Sequence, residues 1–317
     1  MSAIRETKAT RFGYSDGLLE LLKTKKNIMV LDADLSKSTT TNRIKEAYPD
    51  HFVNVGIAEQ NMLGIAAGLS LGGNVAYVST YGVFVAGRAF DQIRTTICYS
   101  KLNVKIGGAH GGISVGPDGA THQALEEIAM MRAIPEMKVI VPCDFFQTKK
   151  ATIAAYSIPG PVYIRFGREP VPIITEENSP FVFGKAECFK PGSDVSLFAC
   201  GVMVHEALLA AEELEKEGIS ANVVNFHTIK PLDIESVIQY ATQTGAVVTA
   251  EEHQLYGGFG SAIAEVLVQH HPIPVEMVGI QDTFGESGSP EQLMKAYHLT
   301  SQDINQQAKR VLARKSK

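Results

Sequence analysis

The amino-acid sequence predicts an α/β protein in which a domain built on a parallel sheet precedes a smaller α/β domain. The first observation is that short apolar, β-branched runs alternate with helical patterns along the first half of the chain. The second is a change in composition after Arg168, where prolines and polar residues cluster. The third is that the alternation resumes near residue 195. This pattern is typical of parallel strands connected by helices, and the length of 317 residues suits two domains.

The first domain, predicted over residues 1–169, has five candidate strands and five candidate helices. The strands are continuous apolar runs, as expected when helices cover both faces of a sheet. They are predicted near 27–32, 75–79, 104–107, 138–142 and 162–166. The helices are predicted near 13–24, 58–71, 88–99, 122–133 and 146–156.

Residues 170–190 contain three prolines and several polar residues, which predicts a linker. The second domain is predicted over residues 191–317. Its strands are predicted near 195–200, 222–226, 246–250 and 275–280. Its helices are predicted near 203–217, 234–242, 259–270 and 301–314.

Charge and cysteine usage narrow the class of protein. The chain carries 29 Lys and Arg against 34 Asp and Glu, a net charge of −5, so neither nucleic acid nor a membrane is an expected partner. The charged N-terminal sequence lacks the apolar core of a signal peptide, which predicts a cytoplasmic location. The four cysteines show neither CxxC nor zinc spacing, so we expect reduced, buried thiols and no metal bound by this chain itself.

A long stretch from Gln60 to Gly87 carries no charged side chain. Gly72 and Gly73 interrupt it, so a buried helix and strand fit better than a membrane span. A run of this length indicates either the middle of a core or an extensive interface. We expect the exposed side of the helix, for instance at Ala66, to meet a second copy of the chain.

Polar segments follow three of the predicted strands, at 34–38, 79–81 and 107–110. Ligands of open α/β sheets bind outside the carboxyl ends of the strands, so the functional site is expected at this edge. Glu59 begins the apolar helix nearby. It is either a first-turn acid favoured by the helix dipole or a functional carboxylate, which in such an apolar setting must be paired or protonated.

A glycine-rich polar loop spans residues 110–123 and contains His110, Asp118 and His122. It is either a connecting loop or a site, and loops of this length between core elements are usually functional. Arg165 and Arg168 end the strand at 162–166. They are either ordinary surface arginines or an anion clamp, because arginine binds phosphate through two parallel hydrogen bonds.

Taken together and in order, these segments resemble the transketolase family. The resemblance runs from about Thr10 to Leu312. The matching segments are Thr10-Arg11, Asp34-Leu-Ser-Lys-Ser38, Val55-Gly-Ile-Ala-Glu-Gln-Asn61, Ser79-Thr-Tyr81, Arg88-Ala-Phe-Asp-Gln-Ile-Arg94, Gly116-Pro-Asp-Gly-Ala-Thr-His-Gln123, Thr228-Ile-Lys-Pro-Leu-Asp233 and Glu251-Glu-His253 with Gly257-Gly258.

The resemblance implies a thiamine-diphosphate pyrimidine-binding domain followed by a transketolase C-terminal domain. The family's other domain, which grips the diphosphate through a Gly-Asp-Gly motif and a metal, has no counterpart in this sequence. The chain is therefore expected to be the C-terminal subunit of a split transketolase. An N-terminal partner subunit would hold the diphosphate with Mg²⁺ or Ca²⁺, and two copies of each chain would form a heterotetramer.

The resemblance also implies the activity, which is the transfer of a two-carbon ketol unit from a ketose phosphate to an aldose phosphate, as in pentose phosphate metabolism. Glu59 would hydrogen-bond the pyrimidine ring and His122 would take part in catalysis. Tyr81 and Phe84 would pack on the pyrimidine, although the family's third aromatic is missing between Phe84 and Arg88. The residues expected to bind the sugar and its phosphate are Arg11, Ser38, His110, Asp118, His122 and Arg168.

Three alternatives stay open at this point. A deoxyxylulose-phosphate synthase-like protein shares the Asp-Gly-x-Thr-His-Gln run, but Arg88–Arg94 and Thr228–Asp233 fit transketolase better. The beta subunit of a 2-oxoacid dehydrogenase is also a separate chain, but it is disfavoured by the complete Asp118 to His122 loop. A non-catalytic, transketolase-like interaction module is disfavoured by the intact Glu59.

Overall fold

The computed structural model describes residues 6–315, which form two large sheets with helices on their faces and one small two-stranded sheet. Residues 1–5, part of the charged N-terminal sequence discussed above, and residues 316–317 lie outside the described residues. The strands are β1 (Thr7–Ala9), β2 (Ile28–Asp32), β3 (Phe52–Asn54), β4 (Val75–Tyr81), β5 (Val104–Ala109), β6 (Lys138–Ile140), β7 (Val162–Phe166), β8 (Pro170–Pro172), β9 (Glu187–Lys190), β10 (Val195–Ala199), β11 (Ala221–Asn225), β12 (Thr228–Lys230), β13 (Val247–Gln254) and β14 (Val275–Ile280).

The α-helices connect these strands and are 4 to 15 residues long. They are α1 (Thr10–Leu22), α2 (Ser36–Thr39), α3 (Asn42–Ala47), α4 (Glu59–Leu71), α5 (Gly82–Arg88), α6 (Glu127–Ala133), α7 (Phe145–Ser157), α8 (Met203–Lys216), α9 (Ile234–Thr244), α10 (Phe259–His270), α11 (Pro290–Ala296) and α12 (Ser301–Lys315).

The larger sheet has seven strands in the order β12-β6-β7-β5-β4-β2-β3. All neighbouring pairs are parallel except β12 with β6. The strand β4 is buried along its whole length, as expected for a central parallel strand covered on both faces. The carboxyl ends of β2, β4, β5 and β7 therefore lie side by side at one edge, which confirms the predicted parallel sheet.

The smaller sheet has five strands in the order β14-β13-β10-β11-β9, and only β9 runs antiparallel to its neighbour. The two units are not independent, because β12 follows β11 in sequence yet joins the larger sheet. One hydrophobic cluster also contains residues of both units, such as Ile106 with Phe198 and Phe226. The smaller unit is thus packed firmly against the larger one.

The predicted linker contains two strands. β8 pairs with β1 in a two-stranded antiparallel sheet, and β9 belongs to the smaller sheet. The division into 1–169, 170–190 and 191–317 stays a prediction.

Two predicted helices differ from those observed. The segment predicted as a helix over 88–99 is the end of α5 followed by a π-helix over Gln92–Cys98. The helix predicted from residue 122 begins at Glu127, because residues 110–126 form a longer loop with one 3₁₀ turn at Ile113–Val115. Periodicity alone could not separate a π-helix from an α-helix, nor a polar loop from a first helical turn.

The uncharged stretch forms α4, β4 and α5, as predicted in outline. The expectation that Ala66 lies on the exposed side of α4 is wrong, because Ala66 is buried in the core with Met62 and Leu63. The exposed side instead carries Gly64 and Gly68, whose Cβ positions have no neighbour within 4 Å.

Within residues 6–315, no helix combines the length and apolarity needed to cross a membrane. Three of the four free cysteines are buried, while Cys188 is exposed, contrary to expectation.

Candidate active site

The carboxyl end of β2 fixes one side of the site through a buried aspartate. Asp32 accepts hydrogen bonds from the Leu35 backbone N–H at 2.6 Å and from the Thr39 and Thr41 hydroxyls at 2.7 and 2.9 Å. Burial raises the pKa of Asp32, and these three donors oppose that rise. The network holds residues 33–41 against the sheet edge, and there the Ser38 carbonyl accepts a hydrogen bond from Arg11 at 3.1 Å. Ser38 thus contributes a backbone oxygen to this contact.

Glu59 is the first residue of α4 and only 5% exposed. Arg88 at the end of α5 donates a hydrogen bond from Nη1 to Glu59 Oε1 at 2.8 Å. The Arg88 guanidinium carbon lies 3.8 Å from the centroid of the Phe84 ring, so the arginine bridges the carboxylate and an aromatic face. The paired state foreseen for Glu59 is therefore observed, and its partner is Arg88.

Sequence reasoning assigned no role to Arg88. The signal was present, because the uncharged stretch is bounded by Glu59 on one side and by Arg88 on the other. Two opposite charges that flank a buried segment are candidates for pairing across it, since an unpaired charge there is costly.

Four rings form an aromatic wall beside this pair. Tyr81 stacks on His110 with ring centroids 4.0 Å apart and on Phe84 at 5.4 Å. His122 meets the edges of Tyr81 and Phe84 at 5.7 and 5.3 Å. The wall therefore brings together side chains from β4, α5 and the polar loop. It offers flat apolar faces on which a planar ring can stack.

His110 is 1% exposed and has a φ of 58°, in the left-handed region. Burial, together with the nearby positive charges of Arg11 and Arg168, lowers the pKa of His110 to about 3. The imidazole is therefore neutral near pH 7. Its Nδ1 and the Nε of Arg11 are buried and have no hydrogen-bond partner within residues 6–315. Two unsatisfied polar atoms in one small region fit a ligand-binding site better than a structural core.

Arg168 and Asp118 form the opposite end of the site. Arg168 Nη1 lies 2.9 Å from both carboxylate oxygens of Asp118, and its Nε lies 3.2 Å from Glu169. The hydrogen bond to Asp118 raises the pKa of Arg168. The Arg11 backbone N–H donates to the Gly167 carbonyl at 3.2 Å, which places Arg11 beside Arg168. Burial and the Arg168 charge lower the pKa of Arg11.

Arg165 does not belong to this cluster, so its interpretation as part of an anion clamp is wrong. Its side chain is buried and lies 2.5 Å from Glu127 and 3.5 Å from Glu252. Arg165 lies within β7, whereas Arg168 lies two residues beyond its end, so the two side chains have different surroundings.

The structure brings the nine predicted site residues to one edge of the larger sheet. Glu59 connects through Arg88 to the aromatic wall. The wall includes His110, and the following Gly111 donates its backbone N–H to the Phe166 carbonyl at 3.3 Å, two residues before Arg168. Among residues 6–315 there is no group of three His, Cys, Asp or Glu side chains placed to hold a metal ion. The geometry thus has a carboxylate and aromatic end and a cationic, polar end.

Comparison with known proteins gives consistent family matches. The model of the transketolase pyrimidine-binding domain matches residues 6–173, and that of the transketolase C-terminal domain matches residues 184–304. A solved structure described as a split gene transketolase, inactive beta4 tetramer, is 49% identical, with a TM-score of 0.91 over 96% of this chain and 98% of that one. A 6-deoxy-6-sulfo-D-fructose transketolase subunit of Clostridium sp. is 42% identical, covering 96% of this chain and 94% of the relative. A subunit of an apulose-4-phosphate transketolase of Phocaeicola vulgatus is 37% identical, covering 93% of this chain and 95% of the relative.

Proposed function

Because the chain belongs to the transketolase family, we propose that it is the C-terminal subunit of a split, thiamine-diphosphate-dependent transketolase. Its reaction is the transfer of a two-carbon ketol unit from a ketose phosphate to an aldose phosphate. The observation that carries the proposal is that a buried carboxylate, an aromatic wall and two arginines lie at one sheet edge. A cytoplasmic location stays a prediction.

The residues at the carboxylate end fit the pyrimidine ring of thiamine diphosphate. The ring needs a group that exchanges a proton with its nitrogen and a flat apolar surface beside it. Glu59 supplies the first, and Phe84 with Tyr81 supplies the second. When bound, the cofactor supplies a carbon nucleophile that accepts the two-carbon unit and then releases it to the aldose. Glu59 holds and moves the proton at the pyrimidine nitrogen, while the aromatic wall orients the ring.

The residues at the polar end fit a phosphorylated sugar. Arg168 and Arg11 provide fixed positive charge for the phosphate, because guanidinium stays protonated at all working pH values. Asp118 and His122 bind hydroxyl groups near the reacting carbon, and His122 also moves a proton there. His110, neutral and with an unsatisfied Nδ1, hydrogen-bonds the sugar rather than attracting its charge.

The diphosphate would be held by the partner. Two relatives carry the word subunit in their names, and each matches this chain over nearly its whole length. The proposed partner is an N-terminal transketolase subunit with the Gly-Asp-Gly motif, which binds the diphosphate through Mg²⁺ or Ca²⁺. Two copies of each chain would make a heterotetramer, with this chain self-associating through the exposed face of α4.

The test is reconstitution with an N-terminal transketolase subunit. This chain and the partner are purified separately and mixed with thiamine diphosphate and Mg²⁺, and transfer between ketose and aldose phosphates is measured. We expect each chain alone to be inactive and the mixture to be active. Robust turnover by this chain alone would contradict the split-subunit proposal. A mixture that uses only a 2-oxoacid donor, with release of CO₂, would contradict the proposed reaction.

A further inference from the structure

The loop His110–Gln123, hereafter the sugar loop, carries three of the proposed substrate residues. Its only regular structure is the 3₁₀ turn Ile113–Val115. A loop of this kind holds a precise shape only if its polar groups are anchored to something rigid. Two of its anchors come from the C-terminal unit. The Ser114 N–H donates to Glu252 Oε2 at 3.1 Å, and Gln123 Nε2 donates to the Glu286 carbonyl at 3.0 Å.

Glu252 is buried on β13 of the smaller sheet and touches the larger sheet as well. Arg165 on β7 lies 3.5 Å from Glu252 Oε1 and donates to the Glu252 carbonyl at 3.0 Å. The arginine is fixed in turn by Glu127, 2.5 Å away, and by the Ala124 carbonyl, 3.3 Å away. The Glu252 carboxylate therefore has one oxygen committed to the buried arginine and the other to the backbone of the sugar loop.

The backbone of the loop lies directly on this buried pair. A Cβ added to Gly111 would lie 2.4 Å from Arg165 Nε, and one added to Gly112 would lie 2.1 Å from the Glu252 carboxyl carbon. Gly112 also has a φ of 90°, which only glycine adopts readily. These approaches explain the glycine pair that follows His110, because any side chain there would push the loop off its support.

We infer that Glu252 is a positioning residue of the proposed transketolase, which holds the sugar loop through Ser114 so that His110, Asp118 and His122 face the sugar phosphate. The C-terminal unit thereby controls substrate affinity without contacting the substrate. The identity of the substrate rests on the proposed function, whereas the anchoring of the loop does not.

The neighbouring residue offers a matched control. Glu251 is also buried on β13, but its carboxylate accepts hydrogen bonds from the Phe259 and Gly260 N–H groups, at 2.6 and 2.7 Å. These belong to the first turn of α10 and not to the sugar loop. Glu251→Gln and Glu252→Gln therefore make the same chemical change in adjacent buried residues, and only the second touches the loop.

The first measurement is hydrogen–deuterium exchange of peptides covering residues 110–123 in the full-length chain. Exchange reports local opening, so losing an anchor accelerates it. We expect about tenfold faster exchange in Glu252→Gln, corresponding to the loss of one charge-assisted hydrogen bond, and no change in Glu251→Gln. Glu252→Asp keeps the charge beside Arg165 but shortens the reach to Ser114. It is expected to match Glu252→Gln, and it carries the test if the glutamine variant does not fold.

The second measurement is kinetic, in the assembled enzyme. Glu252→Gln is expected to raise KM for the ketose phosphate about tenfold, while the affinity for thiamine diphosphate stays near the parent value. Equal loop exchange in the two glutamine variants, or equal changes of KM, would overturn the inference. If no partner subunit gives activity, the proposed function fails, yet the exchange comparison still decides whether Glu252 anchors the loop.

Discussion

The two ends of the site differ in how completely this chain builds them. At the polar end, Arg168 is paired with Asp118, His110 is buried, and the loop carrying them rests on the C-terminal unit. At the carboxylate end, Arg88 is 49% exposed and Ile57, two residues before Glu59, is 77% exposed. The polar end is thus held in place by contacts within one chain, with Arg168 and Asp118 33% and 28% exposed, whereas the carboxylate end opens onto a surface that includes the apolar Ile57.

This difference suggests a division of labour in the proposed enzyme. Sugar recognition would be a property of this chain, because its groups are held by contacts that need no second molecule. Activation of the cofactor would depend on assembly, because the surface around Glu59 and Arg88 is the part left uncovered.

At the carboxylate end, Glu59→Gln should lower turnover of the assembled enzyme by roughly a hundredfold to ten-thousandfold. The amide keeps the shape and can still accept from Arg88, but it cannot exchange a proton with the pyrimidine nitrogen. The decisive measurement is the exchange rate of the thiazolium proton of bound cofactor. Arg88→Gln is the companion variant, since it removes the partner and leaves the carboxylate. Equal losses in both variants would mean that Glu59 matters as an ion-pair partner and not as a proton carrier.

The open surface beside that end should be sensitive to charge. Gly64→Glu places a carboxylate on the exposed face of α4 without disturbing its core side. An unpaired charge buried in an interface costs about 3–5 kcal/mol, so pairing of the copies should weaken on the order of a hundredfold to several thousandfold. Light scattering of the mixed subunits, together with activity, measures the effect.

The control for this interface is Gly64→Ala, which adds about 1 kcal/mol of helix stability through the higher helix propensity of alanine. It should leave assembly intact or show only the steric effect of one methyl group. If Gly64→Glu assembles and works like the parent, or if a stable one-to-one heterodimer is active, the proposed pairing through α4 is wrong.

At the polar end, Arg168→Ala should raise KM for phosphorylated sugars about tenfold to a hundredfold, because a charge-assisted contact contributes roughly 1.5–3 kcal/mol. Unphosphorylated sugars should be affected far less. The substitution also removes the ion-pair partner of Asp118, which is a second cause of weaker substrate binding. Asp118→Asn removes the ion pair but keeps Arg168, so it separates the two causes. If Arg168→Ala and Asp118→Asn impair both substrate classes alike, Arg168 acts by orienting Asp118 and does not bind phosphate directly.

Prediction from the sequence succeeded where the physical signal is local. The strands of both sheets and most helices follow from apolar periodicity, and the observed strand β7 has the predicted bounds. His110 and Arg168 stand out because polar groups follow apolar strands, and Glu59 stands out because it begins an apolar helix. The partnership of Glu59 with Arg88 and the burial of Arg165 were missed or misjudged, because both depend on residues about 30 to 90 positions away. Such long-range contacts, and the pairing of β12 with the larger sheet, produce no periodic pattern in the amino-acid sequence.

The smallest expected effect concerns the pH dependence of stability, and it tests whether His110, at the polar end, is shielded from solvent. His110 has a pKa of about 3 in the folded chain, below the value of about 6.5 expected when unfolded. As the pH falls below 6.5, the unfolded state gains a proton that the folded state does not, so stability decreases. Between pH 7 and pH 5 this amounts to about 2 kcal/mol, at 1.36 kcal/mol per unit.

His110→Asn suits the left-handed backbone and does not titrate. Urea unfolding at pH 7 and at pH 5 measures the effect. Between these pH values, the free energy of unfolding of His110→Asn should fall by about 2 kcal/mol less than that of the parent. His298→Asn, at an exposed histidine with a φ of 57°, controls for the substitution itself. Parallel pH profiles for the parent and His110→Asn would show that solvent reaches His110 and that the polar end is as open as the other.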